Sequence, residues 1–305
     1  MKNNNLDVNN SVATVIFGEV LFDCFPDGNS VLGGAPFNVA WHLQAFARSP
    51  LMVSSIGDDA LGKKVKSAMQ SWNMDTSALQ LDLEHPTGSV DIRFEQGEPH
   101  YTIVEHRAYD YINTALLPPL PENSLLYHGS LALRNQSSRE TLANIKAVHT
   151  GTVFMDVNLR DPWWQKTFVL EMVAEADWVK LNEDELLQLA CGTNDIKSAD
   201  IKSLAADFIN TNNLTVVIVT LGAKGAIALT DKGDYAEVIP SQTLEVVDTV
   251  GAGDAFTSVL ILGILLQWPL QQTMQRAQDF ASLMVTQQGA TVFNHKLYRA
   301  MLANW

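Results

Sequence analysis

A run of small residues followed by an acid lies in the stretch VVDTVGAGDAF (246–256). Gly251, Ala252 and Gly253 leave the backbone accessible, and the apolar stretch TSVLILGILLQW (257–268) predicts a buried helix directly after them. Backbone amides at the start of a helix bind anions, because they lie at the positive end of the helix dipole. Asp254 then has two possible roles: it caps the helix, or it takes a proton from a group held beside the anion.

A second glycine-rich stretch, LGGAPFNVA (32–40), also leads into a predicted helix. Gly33 and Gly34 allow a ligand to approach the backbone closely, and the Asn38 amide can both donate and accept hydrogen bonds. A turn followed by a helix start explains the same residues equally well, so both interpretations stay open for this stretch on its own.

Two predicted strands end in polar residues, at the sheet edge where α/β proteins bind ligands. The first ends in DVNLR (156–160), and Arg160 could pair with a phosphate or form a surface salt bridge. The second runs into LNEDEL (181–186), where Asn182 and Glu185 lie three residues apart on one helical face. These two could hold magnesium through water, although acids that complement the helix dipole are the favoured reading in isolation.

The remaining glycine patterns are weaker. VTLGAKGA (219–226) predicts a strand and a turn, and VTQQGAT (285–291) predicts a helix that ends with Gly289 as its C-cap. GDDALGKK (57–64) has the spacing of a phosphate-binding P-loop, but Lys64 stands where that motif needs Ser or Thr, so a turn and helix start is favoured. No G-x-G-x-x-G follows a strand, which disfavours a nicotinamide-dependent oxidoreductase.

Composition restricts the protein class. The chain has 305 residues, 47% of them hydrophobic, and a net charge of −14, which argues against nucleic-acid or anionic-membrane surfaces. Cys24 and Cys191 form no disulfide or zinc pattern and fit a reducing cytosol. The polar start MKNNNLDVNN has no signal core, and the longest apolar run (259–266) is too short for a bilayer of about 30 Å. We therefore expect a cytoplasmic protein.

Short β-branched runs alternate with helical patterns along most of the chain, which predicts an α/β fold with a mostly parallel sheet covered on both faces. The predicted strands are 13–20, 51–57, 125–129, 152–158, 176–182 and 214–222, and the predicted helices between them include 36–48, 59–72 and 138–149.

Two segments break this alternation. Residues 21–34 and 87–108 read as short strands and turns, including a hairpin turn in EQGEP (95–99), and neither contains a helix. We predict that they form one small sheet that acts as a lid on a single domain spanning 1–305.

Taken together and in this order, the motifs GEVLFD, GGAPFNVA, DVNLR, LNEDE, TLGAKG, DTVGAGDAF and QQGA resemble the ribokinase-like (PfkB) sugar kinases. The likeness runs from about residue 16 to residue 292. Within that family, LGGAPFNVAWHL, SLALR, NLRDPWW and QQGAT are most similar to bacterial fructokinases. The resemblance implies a three-layer α/β/α ribokinase-like fold with a small β lid.

The resemblance also implies roles for particular residues. Asp254 would be the catalytic base, with Gly251, Ala252 and Gly253 as the anion hole and Arg160 on the transferring phosphate. The sugar would contact Asp23, Gly33, Gly34 and Asn38, and the nucleotide would lie near Thr220, Gly222, Asn182 and Gly289. Asn182 and Glu185 would organise Mg²⁺ through water, and Asp248 and Val250 match positions beside which some relatives bind K⁺.

The implied activity is ATP-dependent phosphorylation of a sugar hydroxyl, with fructose as the first candidate. The segment EHRAYDYI (105–112) departs from the family, since many fructokinases have Trp before the Asp. A kinase for 2-keto-3-deoxygluconate or aminoimidazole riboside is therefore an alternative, and a catalytically silent sugar-binding homologue is an alternative of another class. Exposed strand edges on the lid further predict a homodimer.

Overall fold

The structure is a computed structural model that describes residues 12–95, 98–190, 200–240 and 246–305. Cys191, which the sequence analysis discussed, lies outside these ranges. Within the described residues, no helix combines the length and apolarity needed to cross a membrane.

A large sheet forms the centre of the fold. In the described ranges it has nine strands, in the order β13-β12-β11-β10-β9-β8-β1-β4-β5, parallel from β11 to β5 and antiparallel at β12 and β13. The strands of this sheet are β1 (Ala13–Phe17), β4 (Leu51–Gly57), β5 (Leu79–Asp82), β8 (Ser124–His128), β9 (Val153–Asp156), β10 (Trp178–Asn182), β11 (Val216–Thr220), β12 (Ala226–Thr230) and β13 (Tyr235–Val238).

Helices cover both faces of this sheet. One face packs against α1 (Ala35–Ala45), α2 (Ala60–Ser71), α7 (Ala252–Leu265), α8 (Leu270–Met284) and α9 (His295–Ala303). The other face packs against α3 (Gln136–Val148), α4 (Lys166–Ala174), α5 (Glu183–Ala190) and α6 (Ile201–Asn212). The predicted three-layer α/β/α arrangement is confirmed.

Side-chain alternation along the strands divides the core in two. In β1, Ile16 packs into the core beneath α1 and α7, whereas Val15 and Phe17 pack into the opposite core. Successive side chains of a strand point to opposite faces, so a strand buried on both faces is mostly apolar, as the last three residues of β1 are.

A separate four-stranded sheet is formed by the two segments that lacked helices in the sequence. Its order is β3-β2-β6-β7, with β2 (Leu21–Cys24), β3 (Ser30–Gly33), β6 (Gly88–Glu95) and β7 (Glu98–Ile103). The β6–β7 hairpin pairs Glu95 with Glu98, in agreement with the predicted turn. We call this element the small sheet.

Two local predictions have clear outcomes. The stretch 57–64 is a turn and helix start, as expected: Asp59 caps α2 by accepting from the Gly62 amide at 2.7 Å, and it also accepts from the Thr87 amide at 2.8 Å. The prediction of Gly289 as a helix C-cap is wrong. Helix α8 ends at Met284, and two further turns, closed by hydrogen bonds from the Thr286 and Gln287 amides, precede Gly289.

Candidate active site

Helix α7 begins one residue after a left-handed glycine. Gly251 is the N-cap with φ 78°, and a Cβ at this position would collide with Ala290, so the close approach of these two turns requires glycine. Asp254 is therefore the third helical residue and not the cap. The buried helix predicted from residue 257 begins five residues earlier, at Ala252.

The start of α7 presents backbone amides, because the first four N–H groups of a helix have no intrahelical partner. The Ala252 amide lies 3.3 Å from the Thr249 carbonyl oxygen and donates to it. The amides of Gly253 and Asp254 follow directly in the first turn, where the helix dipole also favours an anion.

Asp254 is held by an asparagine from a distant part of the chain. The Asn38 side-chain amide nitrogen donates to the Asp254 carboxylate at 2.7 Å. The pKa of Asp254 is raised to about 6, mainly by burial and also by the Asp156 carboxylate, although the Asn38 hydrogen bond and the positive charges of Lys180 and Arg160 oppose the rise. A carboxylate with this pKa is ionised at neutral pH and basic enough to accept a proton.

The predicted sugar-binding residues lie together beside Asp254. A Cβ built on Gly33 would lie 3.9 Å from the Asn38 Oδ1 atom and 4.0 Å from an Asp23 carboxylate oxygen, so these side chains face the same space. Asn38 Oδ1 is buried and has no hydrogen-bond partner among the described residues. Gly34 has φ 106°, and its Cβ position lies 2.7 Å from the Glu19 carbonyl oxygen, which leaves no room for a side chain.

A cavity of about 530 Å³ lies on the other side of the α7 start. Thr220 and Gly222 line it, as does Gly253, and Gln278 contributes a polar side chain from α8. Small and apolar residues form much of the rest of the lining, among them Ala223, Phe256, Ala281 and Val285. The first turn of α7 therefore separates this cavity from Asp23 and Asn38.

Asn182 and Glu185 form a reciprocal cap at the start of α5. The Asn182 amide donates to Glu185 Oε2, and the Glu185 amide donates to Asn182 Oδ1, both at 2.8 Å. Glu185 Oε1 accepts from the Leu159 amide at 2.8 Å, so this buried carboxylate also fixes the loop that carries Arg160. Each carboxylate oxygen has a second lone pair, which leaves capacity for a water molecule.

Arg160 is exposed at the edge of the cleft, and its guanidinium donates to the Leu159 carbonyl oxygen at 3.1 Å. Its positive charge lowers the pKa of both Asp254 and Glu19. The loop that follows contains a cis peptide bond at Asp161–Pro162.

Asp248 joins the glycine turn to the segment after α8. One carboxylate oxygen accepts from the Val250 amide at 2.9 Å, and the other accepts from the Gly289 amide at 3.1 Å. Asp248, Val250 and Gly289 thus lie together, on the side of the α7 start that Ala290 also contacts.

Glu19 was missed by the sequence analysis. Its side chain is only 3% exposed, and Oε2 is buried without a hydrogen-bond partner among the described residues. The pKa of Glu19 is raised to about 7, mainly by burial and also by the negative charge of Asp254. The sequence feature that could have identified Glu19 is an acid two residues after the apolar strand β1, inside the motif GEVLFD.

Lys180 and Asp156 form a buried ion pair that was also missed. Lys180 Nζ donates to Asp156 Oδ2 at 2.7 Å, and the two residues are paired in register on β10 and β9. The Thr257 hydroxyl donates to the same carboxylate oxygen at 3.0 Å. A lysine within the otherwise apolar strand WVKLN was the available sequence signal.

A second buried ion pair lies beneath the small sheet. Arg134 donates to the two carboxylate oxygens of Asp110 at 2.7 and 2.8 Å and to the Val104 carbonyl oxygen at 2.6 Å. Its guanidinium lies 5.3 Å from the ring centroid of Tyr109 and 4.7 Å from that of Trp163. Arg134 thus connects the end of β7 to the loop after Arg160.

The chain matches known proteins over most of its length. The profile described as "pfkB family carbohydrate kinase" matches residues 24–297. A fructokinase of Vibrio alginolyticus is 30% identical over 296 residues, covering 90% of this chain and 93% of that protein. An aminoimidazole riboside kinase of Salmonella typhimurium is 28% identical, covering 90% and 89%.

Solved structures agree with the sequence matches. A Vibrio cholerae fructokinase crystallised with fructose, ADP and calcium has a TM-score of 0.80 at 27% identity, covering 96% of this chain and 100% of that chain. A double mutant from the same species, with fructose, ADP and potassium bound, has a TM-score of 0.80 at 26% identity, covering 96% and 99%. The profile match, the sequence relatives and the solved structures lead to one conclusion: this chain belongs to the pfkB family of carbohydrate kinases.

Proposed function

We propose that this protein transfers the terminal phosphoryl group of ATP to a hydroxyl group of fructose. The observation that carries this proposal is the position of Asp254 at the start of α7, held at 2.7 Å by Asn38. Asp23 and Asn38 lie on one side of that turn and the cavity lined by Thr220 and Gly222 lies on the other. A hydroxyl and a phosphate bound on these two sides would meet at Asp254.

Asp254 acts as the general base. Its carboxylate accepts the proton of the attacking hydroxyl, while Asn38 keeps the carboxylate oriented through the hydrogen bond. The amides of the α7 start and the Arg160 guanidinium take up charge that develops on the phosphate oxygens. Phosphoryl transfer depends mainly on positioning and charge stabilisation, which these groups supply.

Mg²⁺ is proposed to reach the protein through water. The Asn182–Glu185 cap fits this arrangement and does not fit direct ligation, since Glu185 is buried and each of its oxygens already accepts a backbone hydrogen bond. When bound, the metal neutralises charge on the ATP phosphates. The protein's own contribution is to hold the α5 start and the Leu159 amide in place.

A potassium site beside the α7 start is proposed near Asp248 and Val250. The support is the position of Asp248, which joins the two turns on either side of Gly251, and the potassium ion named in the Vibrio cholerae structure. If K⁺ binds here, replacing it with Na⁺ should lower turnover without changing the thermal melting temperature by more than a few degrees.

Fructose is preferred because relatives named fructokinase include those of Vibrio alginolyticus and Klebsiella pneumoniae, both 30% identical to this chain. Aminoimidazole riboside is the second candidate, since a kinase for it is 28% identical over a similar length. Tyr109 stands where many fructokinases have Trp, and it packs against Gly88 at the base of the small sheet.

The small sheet is proposed to be a lid over the sugar, within a single domain. Asp23 lies in β2 and Gly33 in β3, so movement of this sheet would carry sugar contacts with it. Closure would exclude water and limit ATP hydrolysis.

A homodimer through the small sheet is also proposed. Val31, Phe94 and Tyr101 are exposed, and the strand register places them on the same face of the sheet as Asp23. Apolar side chains on an exposed sheet suit burial by a second copy. Light scattering should give twice the chain mass, and Phe94→Glu should halve it; a wild-type monomer at assay concentration would contradict the dimer.

A cytoplasmic location is part of the proposal, because the reaction consumes ATP and because Cys24 is a free thiol. Cell fractionation with an antibody to the chain would test it. Recovery in an exported fraction would contradict it.

The first experiment measures ADP released from ATP and Mg²⁺ with fructose, 2-keto-3-deoxygluconate or aminoimidazole riboside, against a sugar-free control. Fructose-dependent ADP would support the proposal. If fructose gave no more ADP than the sugar-free control while another compound turned over, the substrate would be reassigned to that compound. No turnover with any compound, together with sugar binding by calorimetry, would favour the silent homologue.

A further inference from the structure

Lys180 places a positive charge beneath the turn that starts α7. The side chain is 7% exposed, and a Cβ built on Gly253 would lie 3.8 Å from its ammonium nitrogen. Strand β10 holds the lysine there, because Lys180 is the third of its five residues and its backbone is paired with neighbours on both sides.

The partner of Lys180 is linked to the same turn. Asp156 Oδ2 accepts from Lys180 at 2.7 Å and from the Thr257 hydroxyl at 3.0 Å. The Thr257 hydroxyl also lies 2.9 Å from the Gly253 carbonyl oxygen, within reach as a second acceptor. The ion pair is therefore joined through one side chain to the residue whose amide faces the expected phosphate.

Lys180 keeps donors that this pairing does not use. Within the described parts of the chain, its ammonium makes one hydrogen bond, to Asp156, and an ammonium has three N–H donors. A lysine ammonium is a compact charge on a flexible stem, so it can turn toward a second anion. Its field already reaches the site, because it lowers the pKa of Asp254.

We propose that Lys180 is a further catalytic residue: its ammonium contacts the transferring phosphoryl group beside Gly253, with Asp156 as its resting partner. The inference rests on the proposed kinase function. Lys180 forms no covalent bond and transfers no proton. It compensates negative charge on the phosphate oxygens while Asp254 takes the hydroxyl proton.

Removing the ammonium should affect the terminal phosphate specifically. For Lys180→Met, kcat should fall about 100-fold, the range seen when one charge-stabilising donor is lost. Calorimetry with Mg²⁺ should show affinity for the β,γ-imido analogue of ATP reduced at least about 10-fold, with ADP affinity within about 2-fold of the wild-type value. Equal losses of affinity for the two nucleotides, or no loss for either, would overturn the proposal. The Lys180–Asp156 ion pair would then have only a structural role, holding the start of α7 in place.

A lone buried Asp156 could destabilise the single variant, so the comparison is repeated without that charge. Asp156→Asn is the matched control, and Asp156→Asn with Lys180→Met should be about 10-fold or more slower than the control. Equal rates for these two proteins would overturn the proposal. The comparison of nucleotide affinities needs no sugar turnover. The Lys180 proposal can therefore be overturned while fructose phosphorylation is observed, and it can be supported when fructose is not phosphorylated.

Discussion

The two ends of the cleft each contain a buried ion pair, and the pairs are bonded differently. Beneath the proposed sugar side, Arg134 meets Asp110 through two parallel hydrogen bonds, and its guanidinium lies near the rings of Tyr109 and Trp163. Beneath the proposed phosphate side, Lys180 meets Asp156 through a single hydrogen bond. A planar guanidinium between rings has one orientation, whereas an ammonium on a flexible stem can change partners.

This difference separates two uses of a buried charge. Arg134 bonds Val104 at the end of the small sheet as well as Asp110, so its hydrogen bonds hold segments of the chain together. Lys180 lies against Gly253 and, among the described residues, bonds only Asp156. We therefore expect substitutions at the sugar-side pair to act mainly on stability and substitutions at the phosphate side to act mainly on turnover.

The largest expected effect is on the chemistry at the phosphate side. Asp254→Asn should lower kcat by roughly 10²–10⁴ or more, because the amide cannot accept the hydroxyl proton. Steady-state ADP release measures it, with thermal melting to verify the fold. Asp207→Asn on the exposed face of α6 is the matched control and should keep wild-type turnover. Unchanged kcat in Asp254→Asn would remove Asp254 as the base.

The next effect is on stability at the sugar side. Arg134→Met leaves the Asp110 carboxylate buried without its partner, which should cost about 3–5 kcal/mol in the free energy of unfolding. Adding Asp110→Leu removes that lone charge and should recover part of the loss. Urea denaturation of the two variants and the wild type measures both values. If Arg134→Met unfolds at the wild-type midpoint, the pair does not hold this region together.

The pH dependence of turnover tests the Asp254 environment. Since burial raises the pKa of Asp254 to about 6, the basic form is lost below that pH and kcat/KM should fall about tenfold per pH unit. Asn38→Ala removes the hydrogen bond that lowers this pKa, so the acidic limb should move to higher pH. Titration of ATP itself is common to both proteins, and coincident acidic limbs would refute the role of Asn38.

The last prediction concerns Glu19, whose pKa is affected by the charges of both Asp254 and Arg134. Its pKa is about 7 in the folded protein and 4.5 in the reference state, so the folded protein keeps this proton where the unfolded chain has lost it. The stability from this group is complete below pH 4.5 and is lost as the pH rises through about 7, by up to about 1.4 kcal/mol per pH unit.

Glu19→Gln removes that titration while keeping the shape of the side chain. Its free energy of unfolding should therefore rise relative to the wild type between pH 5 and pH 8. Denaturation curves at the two pH values provide the measurement. A constant difference between the two proteins would mean that Glu19 keeps its ordinary pKa.

Local patterns in the sequence predicted much of the fold. Strand β4 was predicted with its observed bounds (51–57), and the two helix-free segments became the small sheet. The start of α7 was predicted too late, because glycines and an acid read as a turn even though Gly253 and Asp254 have helical geometry. The prediction of a C-cap at Gly289 was wrong because the helical pattern of α8 was extended beyond Met284, into the turns that the Thr286 and Gln287 amides close.

The residues found only in the structure are charged groups in apolar surroundings. Glu19, Lys180 and Arg134 each follow or interrupt an apolar run. The ion-pair partners of Lys180 and Arg134 are each 24 residues away, in another element of the fold, and nothing in the neighbouring sequence identifies them. Such pairs cannot be read from periodicity, because periodicity reports only contacts within one element.

The amino-acid sequence by itself determined the alternation of strands and helices, the glycine turn before α7 and the acid beside it, since these depend on neighbouring residues and on backbone preferences. Only the tertiary structure decided that Asn38 holds Asp254, 216 positions away, and that Lys180 lies beneath Gly253. The physical reason is that hydrogen bonds and ion pairs of this kind depend on distance in space. The packing of strands and helices sets that distance.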